Sequence, residues 1–365
     1  MSMPDTTRTV TPAEDMTALG AVILAGTYQG SSAFGSTRPR PLLPIAQRPI
    51  IEYVLGWLRE SGVSSATICA NGSTGRMRAH LGDGGTFGVA LSYHEDGIPR
   101  GAAGCVKDAS QLNPAQTLVV TDGSSIPNGD LRKLLAQHRR TGASVTIAVQ
   151  RHATTGGEPV LEPTGLYIFE REVLEMVPST SFQDIKESLI PKLYRAGCLV
   201  EVFEIEGASP RVLNAPSYLA ANHWMIARMA NGARNVGSQT DLLAHPTAWV
   251  DHKATILGPV LLGPNVRVHE GALIVGPASI GEGTVIGAGA VVTRSVLWEH
   301  CVVGERAIVD QSVLADQTHV GAGITLSNAL RVAPTPPSPT PARRASRMPP
   351  AMRPRSEALA KPALS

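Results

Sequence analysis

The sequence predicts an α/β domain with a mainly parallel sheet, followed by a parallel β-helix. Two observations carry this. From Leu19 to about Asn231, short Val/Ile/Leu runs alternate with amphipathic stretches, as strands and helices do in a parallel sheet. After Asn231 the texture changes to a repeat of about six residues, the period that builds a parallel β-helix. Four segments follow: a flexible extension over 1–18, the α/β domain over 19–231, the β-helix over 232–330 and a disordered Pro/Arg-rich tail over 331–365.

Polar residues with Pro4 and Pro12 open the chain, so ordered structure is expected to start near Leu19. Ala21 to Ala25 reads as the first strand and Pro49 to Ser61 as the first helix. The alternation continues through Ala66 to Ala70, Ala90 to Tyr93, Gly104 to Gln111, Thr117 to Thr121, Asp130 to Thr141 and Ser144 to Gln150. Asp130 precedes an apolar-periodic run and Gly142 follows its end, the residue types that start and stop a helix.

In the repeat, Ile256, Leu262, Val268, Ile274, Ile280, Ile286 and Val292 keep strict register. The step shortens to Leu297, resumes at Val303 and Val309, shortens again to Leu314 and resumes at Val320. Each aliphatic side chain is expected to point into a triangular prism. Gly263, Gly276, Gly281, Gly287, Gly304 and Gly321 fall where the coil turns its corners, because a Cβ would forbid those conformations. From Ala333 onward Pro, Ala, Ser and Arg dominate, a composition with too little apolar surface to fold.

Composition narrows the function classes. The chain has 365 residues, 43% of them hydrophobic, and a net charge of +2. The stretch beyond Val332 carries +5 of that, which leaves −3 for the rest and gives no reason to expect a nucleic-acid-binding fold. Runs such as Ala21 to Ala25 and Leu118 to Val120 are too short to span a bilayer, and no signal-peptide pattern opens the chain. A cytoplasmic protein with no transmembrane segment is expected. Cys69, Cys105, Cys198 and Cys301 are far apart in apolar settings, which points to buried thiols and away from disulfides or a zinc site.

Several motifs together carry a resemblance. Ala21-Val-Ile-Leu-Ala-Gly26, Arg38-Pro-Arg-Pro-Leu-Leu-Pro-Ile45 and Pro49-Ile-Ile-Glu-Tyr53 are similar to the opening signature of the sugar-1-phosphate nucleotidyltransferases, the NDP-sugar pyrophosphorylases. Leu81 to Val89, Gly101 to Ala109, Gly165 to Phe169, Phe182 to Pro191 and Asn214 to Asn222 match later landmarks. Ser295-Val-Leu-Trp-Glu299 looks most like mannose-1-phosphate guanylyltransferase-type members. The resemblance implies a Rossmann-like nucleotidyltransferase domain and a left-handed β-helix of hexapeptide repeats. It also implies a reaction, NTP plus sugar 1-phosphate giving NDP-sugar and pyrophosphate with Mg²⁺, in nucleotide-sugar or polysaccharide metabolism.

Carried over residue by residue, the resemblance assigns nucleotide binding to Leu24, Ala25, Gly26, Gly101, Ala102 and Gly104. Gly165 and Lys186 would meet the sugar phosphate, and Arg40 stands where the family's catalytic Lys supplies charge to the phosphates. Asp122 is the candidate catalytic carboxylate and Mg²⁺ ligand, although Asp122-Gly123 reverses the family's Gly-Asp order. A turn-forming role with Gly123 stays open for it. The small residues of the Gly101 to Gly104 stretch equally suit a plain strand-to-helix turn.

Other positions depart from the family. Ser31 stands where a loop Arg belongs, Val212 where the second metal carboxylate belongs, and Arg151 to Thr164 is shorter than the family's sugar-facing stretch. Arg38 is a possible substitute for the lost loop cation. Three functions compete. One is a nucleotidyltransferase with a degraded site and weak activity. The second is an inactive regulator or scaffold that binds a nucleotide or nucleotide sugar. Acyl transfer on the β-helix, with His252, His269, His300 or His319 as base, comes last because none sits in a recognisable motif. A homo-oligomer built through the β-helix is expected, since stacked coils expose flat faces and strand edges.

Overall fold

The computed structural model of the chain describes residues 19–26, 34, 38–95, 97, 100–152, 157–207, 209–235 and 241–332. Ser31, the N-terminal extension and the tail from Ala333 lie outside the described residues.

Seven strands form the first sheet: β1 (Leu19–Leu24), β2 (Ser65–Cys69), β3 (Ala90–His94), β4 (Thr117–Asp122), β5 (Val145–His152), β6 (Val160–Glu170) and β7 (Val200–Glu204). Their order across the sheet is β3-β2-β1-β4-β6-β5-β7. The four strands from β3 to β4 run parallel, and β6 is antiparallel to both neighbours. Six helices are α1 (Ile50–Glu60), α2 (Thr74–Leu81), α3 (Gly101–Ser110), α4 (Leu131–Thr141), α5 (Ile190–Arg195) and α6 (Ala215–Asn235).

Local sequence explains these elements. In α1, Ile50, Ile51, Val54, Leu55 and Leu58 form one apolar stripe and are all buried, packing the helix on the sheet. Asp130 caps α4 by accepting hydrogen bonds from the amides of Arg132 and Lys133, and Gly142 ends it at a φ of 64°. The third helix starts earlier than the run at Gly104 suggests. Gly101 takes a φ of 79° there, and a Cβ on it would lie 2.4 Å from the Gln183 carbonyl oxygen. Helix α6 runs past the boundary drawn at Asn231, to Asn235. No helix among the described residues is long and apolar enough to cross a membrane.

From Leu242 the chain winds into three parallel sheets of six, five and five strands, a left-handed β-helix. Leu262, Val268, Ile274, Ile280, Ile286, Val292, Leu297, Val303, Val309, Leu314 and Val320 fill the prism as their spacing requires. The shortened steps have a physical cause. Leu242 pairs with Val260 and Val260 with Ala278, a coil of 18 residues, whereas Val296 pairs with Val313 and Val313 with Leu330, a coil of 17. At the tightened corner Arg294, Gln311 and Asn328 adopt φ of 44°, 45° and 50°. Buried Ser295 and Ser312 follow them. The Ser312 amide donates to Ser295 Oγ at 3.0 Å, and the Ala329 amide donates to Ser312 Oγ at 3.0 Å. A ladder of two hydroxyls thus satisfies the corner amides of Ser312 and Ala329.

The two parts share a core. Leu43, Ile45 and Ile50 from the first domain and Tyr218, Ala221, Met225 and Ile226 from α6 pack with Val296, Trp298 and Val313 of the β-helix. The Trp298 indole donates to the Tyr218 hydroxyl at 2.8 Å, and Phe34 lies against both rings. Complete burial pushes the Tyr218 phenol far above its ordinary range. The turn at Ala46-Gln47, with positive φ at both residues, is wedged into the junction. Its Ala46 amide donates to Asn222 Oδ1 at 2.9 Å, and Gln47 donates to the Ile280 carbonyl at 2.9 Å.

Candidate functional site

Parallel strands β1 and β4 end side by side, with Leu24 opposite Asp122 and the Gly123 amide donating to the Leu24 carbonyl at 2.9 Å. The carboxyl edge of such a sheet is where α/β folds bind ligands. Asp122 lies on the sheet face that carries Val120, and Tyr167 and Leu24 pack in the apolar cluster on that same face. Gly165, with a φ of 86°, approaches so closely that a Cβ there would sit 3.4 Å from Asp122 Cβ. The turn Arg40–Leu42 abuts the same edge, with Pro41 3.4 Å from where a Gly123 Cβ would stand. Leu24, Asp122 and Gly165 therefore converge, and the Arg40 turn borders them.

The other candidates are arranged differently. The Ala25 amide is spent on the Cys69 carbonyl at 2.7 Å and the residue is buried, so of Leu24, Ala25 and Gly26 only Gly26 is exposed. The smallness of Gly101 and Gly104 is used by the protein itself, because their Cβ atoms would strike the Gln183 backbone and the Arg100 side chain. The Ala103 amide likewise donates to the Gln183 carbonyl at 3.0 Å. Ala102 is half-buried against the cluster beneath Asp122. Lys186 is exposed just beyond Gln183, and its amide is held by the Asp184 carboxylate at 2.7 Å. Arg40 is half-buried, and its guanidinium has no partner among the described residues. Arg38 turns away: it pairs with Asp316 at 2.7 Å and lies over Trp298, both in the β-helix.

Asp122 is heavily committed. Its Oδ1 accepts the Ser124 amide at 2.8 Å and the Ser124 hydroxyl at 2.6 Å, while its Oδ2 meets an Arg211 guanidinium nitrogen at 2.5 Å. Arg211 is the residue that sequence reasoning passed over, although it adjoins Val212, the position the resemblance gives to a second carboxylate. The segment is extended and fixed by backbone bonds, Ile126 amide to Pro210 carbonyl at 2.9 Å and Val212 amide to Ser124 carbonyl at 3.1 Å. Successive side chains on such a segment point opposite ways, so Val212 is buried in the shared core while Arg211 faces Asp122. Tyr167, pushed up to about 12 chiefly by burial, feels Asp184, Arg211 and Asp122 as its nearest charges.

These residues do not fit a two-carboxylate Mg²⁺ site. Both Asp122 oxygens already have partners, and at the position the resemblance gives to a second carboxylate stands Val212, which is buried. No group of three or more His, Cys, Asp or Glu among the described residues is placed to hold a metal ion. Cys69, Cys105 and Cys301 are buried and Cys198 is half-buried; burial pushes the Cys301 thiol up to about 12. On the β-helix, His269 meets the Trp249 ring edge-on and His252 lies 3.4 Å from Asp251.

Comparison with known proteins agrees with the geometry. A family model described as nucleotidyl transferase matches residues 21–157, and one described as GMPPB C-terminal domain matches residues 256–333. A UTP–glucose-1-phosphate uridylyltransferase of Synechocystis sp. is 27% identical over 308 aligned residues, which cover 72% of this chain and 78% of the relative. A mannose-1-phosphate guanylyltransferase of Mycobacterium tuberculosis is 24% identical over 279, covering 70% and 77%. The chain thus carries a nucleotidyl transferase domain in front of a GMPPB-type C-terminal domain, and the relatives it resembles are sugar-1-phosphate nucleotidyltransferases, mannose-1-phosphate guanylyltransferases among them.

Proposed function

We propose that this protein binds a nucleotide or nucleotide sugar at the β1/β4 edge and transfers nucleotidyl groups only weakly. The observation that carries the reading is the engagement of Asp122 by Ser124 and Arg211, with Val212 buried where a second carboxylate belongs. Members of this family generally use a divalent metal, and a metal clamps charge that develops between the phosphates. Losing such a clamp removes several kcal/mol of transition-state stabilisation. Ground-state binding needs less. The exposed Gly26 backbone, the Arg40 guanidinium and the open edge beside Gly165 can still hold an anion and its sugar. A binding protein that regulates or scaffolds an active relative would use the same features, and a homo-oligomer through the β-helix suits either role.

The test combines calorimetric titration of GTP, UTP, GDP-mannose and UDP-glucose with a pyrophosphorolysis assay on the same preparation. Measurable binding with turnover far below that of the two relatives supports the reading. Brisk turnover of any NDP-sugar with pyrophosphate, abolished by Asp122→Asn, overturns it.

A further inference from the structure

We propose that Arg211 is the resident cation of this site, holding the diphosphate of a nucleotide or nucleotide sugar without help from a divalent metal. The proposal rests on the nucleotide-binding reading above and goes beyond it in naming what neutralises the phosphates. Both departures from the family pattern meet at one point. Asp122 stands one residue before the family's metal carboxylate and Arg211 one residue before the other, and the two side chains pair at 2.5 Å. A positive charge thus sits against the acidic strand end, where the family's pattern calls for a metal.

The guanidinium suits that task. It presents a positive charge and five N–H donors in a planar fork that matches phosphate oxygens. Asp122 engages one edge of the fork, and 46% of the Arg211 side chain remains exposed, so further donors stay open to a ligand. Its backbone is fixed on both sides by the hydrogen bonds to Ile126 and Ser124, and Val212 anchors the segment in the core. The fork is therefore pre-positioned. Asp122, only 14% exposed and bonded to Ser124 as well, serves here to orient Arg211, and an entering metal would have to break that pair first. Arg40, on the turn packed against Gly123, adds a second cation, which leaves the edge with an excess of positive charge suited to an anion.

The experiment is calorimetric titration of the full chain with UDP-glucose and GDP-mannose, once in EDTA and once in excess Mg²⁺. Equal affinity in the two buffers is expected. Arg211→Ala should weaken binding about tenfold or more in both, the loss of one charge-assisted contact, with Arg211→Lys recovering part of it. Because Arg211→Ala strands Asp122 and could disturb folding, Asp122→Asn provides the second arm. It removes the competing charge and should keep or tighten binding in EDTA. Binding that needs Mg²⁺ and is lost in Asp122→Asn overturns the proposal while leaving nucleotide binding intact, as does an Arg211→Ala protein that binds like the unaltered chain. Absence of binding in either buffer sinks the underlying nucleotide-binding reading, and this proposal with it.

Discussion

Arg40 and Arg38 are two residues apart, yet they have opposite fates. Arg38 is tied to Asp316 and Trp298, whereas Arg40 is half-buried at the sheet edge with its charge unspent among the described residues. We therefore expect Arg40→Ala to weaken nucleotide-sugar binding by about tenfold, the worth of one charge-assisted hydrogen bond, with little change in melting temperature. Arg38→Ala should do the reverse. Titration and thermal melting of both variants check this, and an Arg40→Ala protein that binds normally would exclude Arg40 from the site. At this scale the sequence was partly legible. Asp122 and its alternative role as a turn carboxylate could be read from the reversed Asp-Gly pair. Its partner could not, because Arg211 lies far along the chain and reaches Asp122 only through the backbone bridge to Ser125.

Among the elements, α6 bears the most unusual load, since it closes the first domain and also covers one sheet of the β-helix. His223 on this helix donates from Nε2 to the Arg294 carbonyl at 3.0 Å, across the junction. Burial depresses its pKa, against a smaller upward pull from that hydrogen bond. The folded state therefore favours neutral imidazole. The stability this contributes is present above the unfolded value of about 6.5 and is lost as pH falls through the lower folded value. Denaturant midpoints between about pH 7.5 and 5 should fall for the unaltered chain, and the fall should be shallower in His223→Gln. Identical slopes would show that the histidine is indifferent. Most elements were readable beforehand: β1, α1, α4 with its Asp130 cap and the eleven prism residues follow from period and capping chemistry. The junction was not. Trp298 resembled a family landmark, but that it would bond Tyr218 and stack near Phe34 depends on contacts no local pattern records.

For the whole molecule, the shared core changes how self-association has to be tested. Cutting the chain after Asn231 would bare the apolar surface that Val296, Trp298 and Val313 now cover, so the truncated protein would aggregate for reasons of its own. The other two β-helix sheets carry exposed Trp249, Leu257 and Ile308, which are 49%, 52% and 39% accessible. If association runs through these faces, light scattering should find the full chain larger than a monomer at micromolar concentration, and a Trp249→Glu/Leu257→Glu variant should be smaller. A monomeric full chain ends the idea.

The serine ladder has a consequence for where the repeat stops. The first two tightened corners each offer a hydroxyl that receives the amide of the corner above it, Ser295 to Ser312 and Ser312 to Ala329. Alanine has no oxygen to pass on. A further coil of the same pitch, whether from this chain or from another copy stacked end on, would find no hydroxyl beneath its corner amide. The ladder therefore ends at Ala329, and a coil stacked beyond it would gain none of the hydroxyl contacts that join the coils before it.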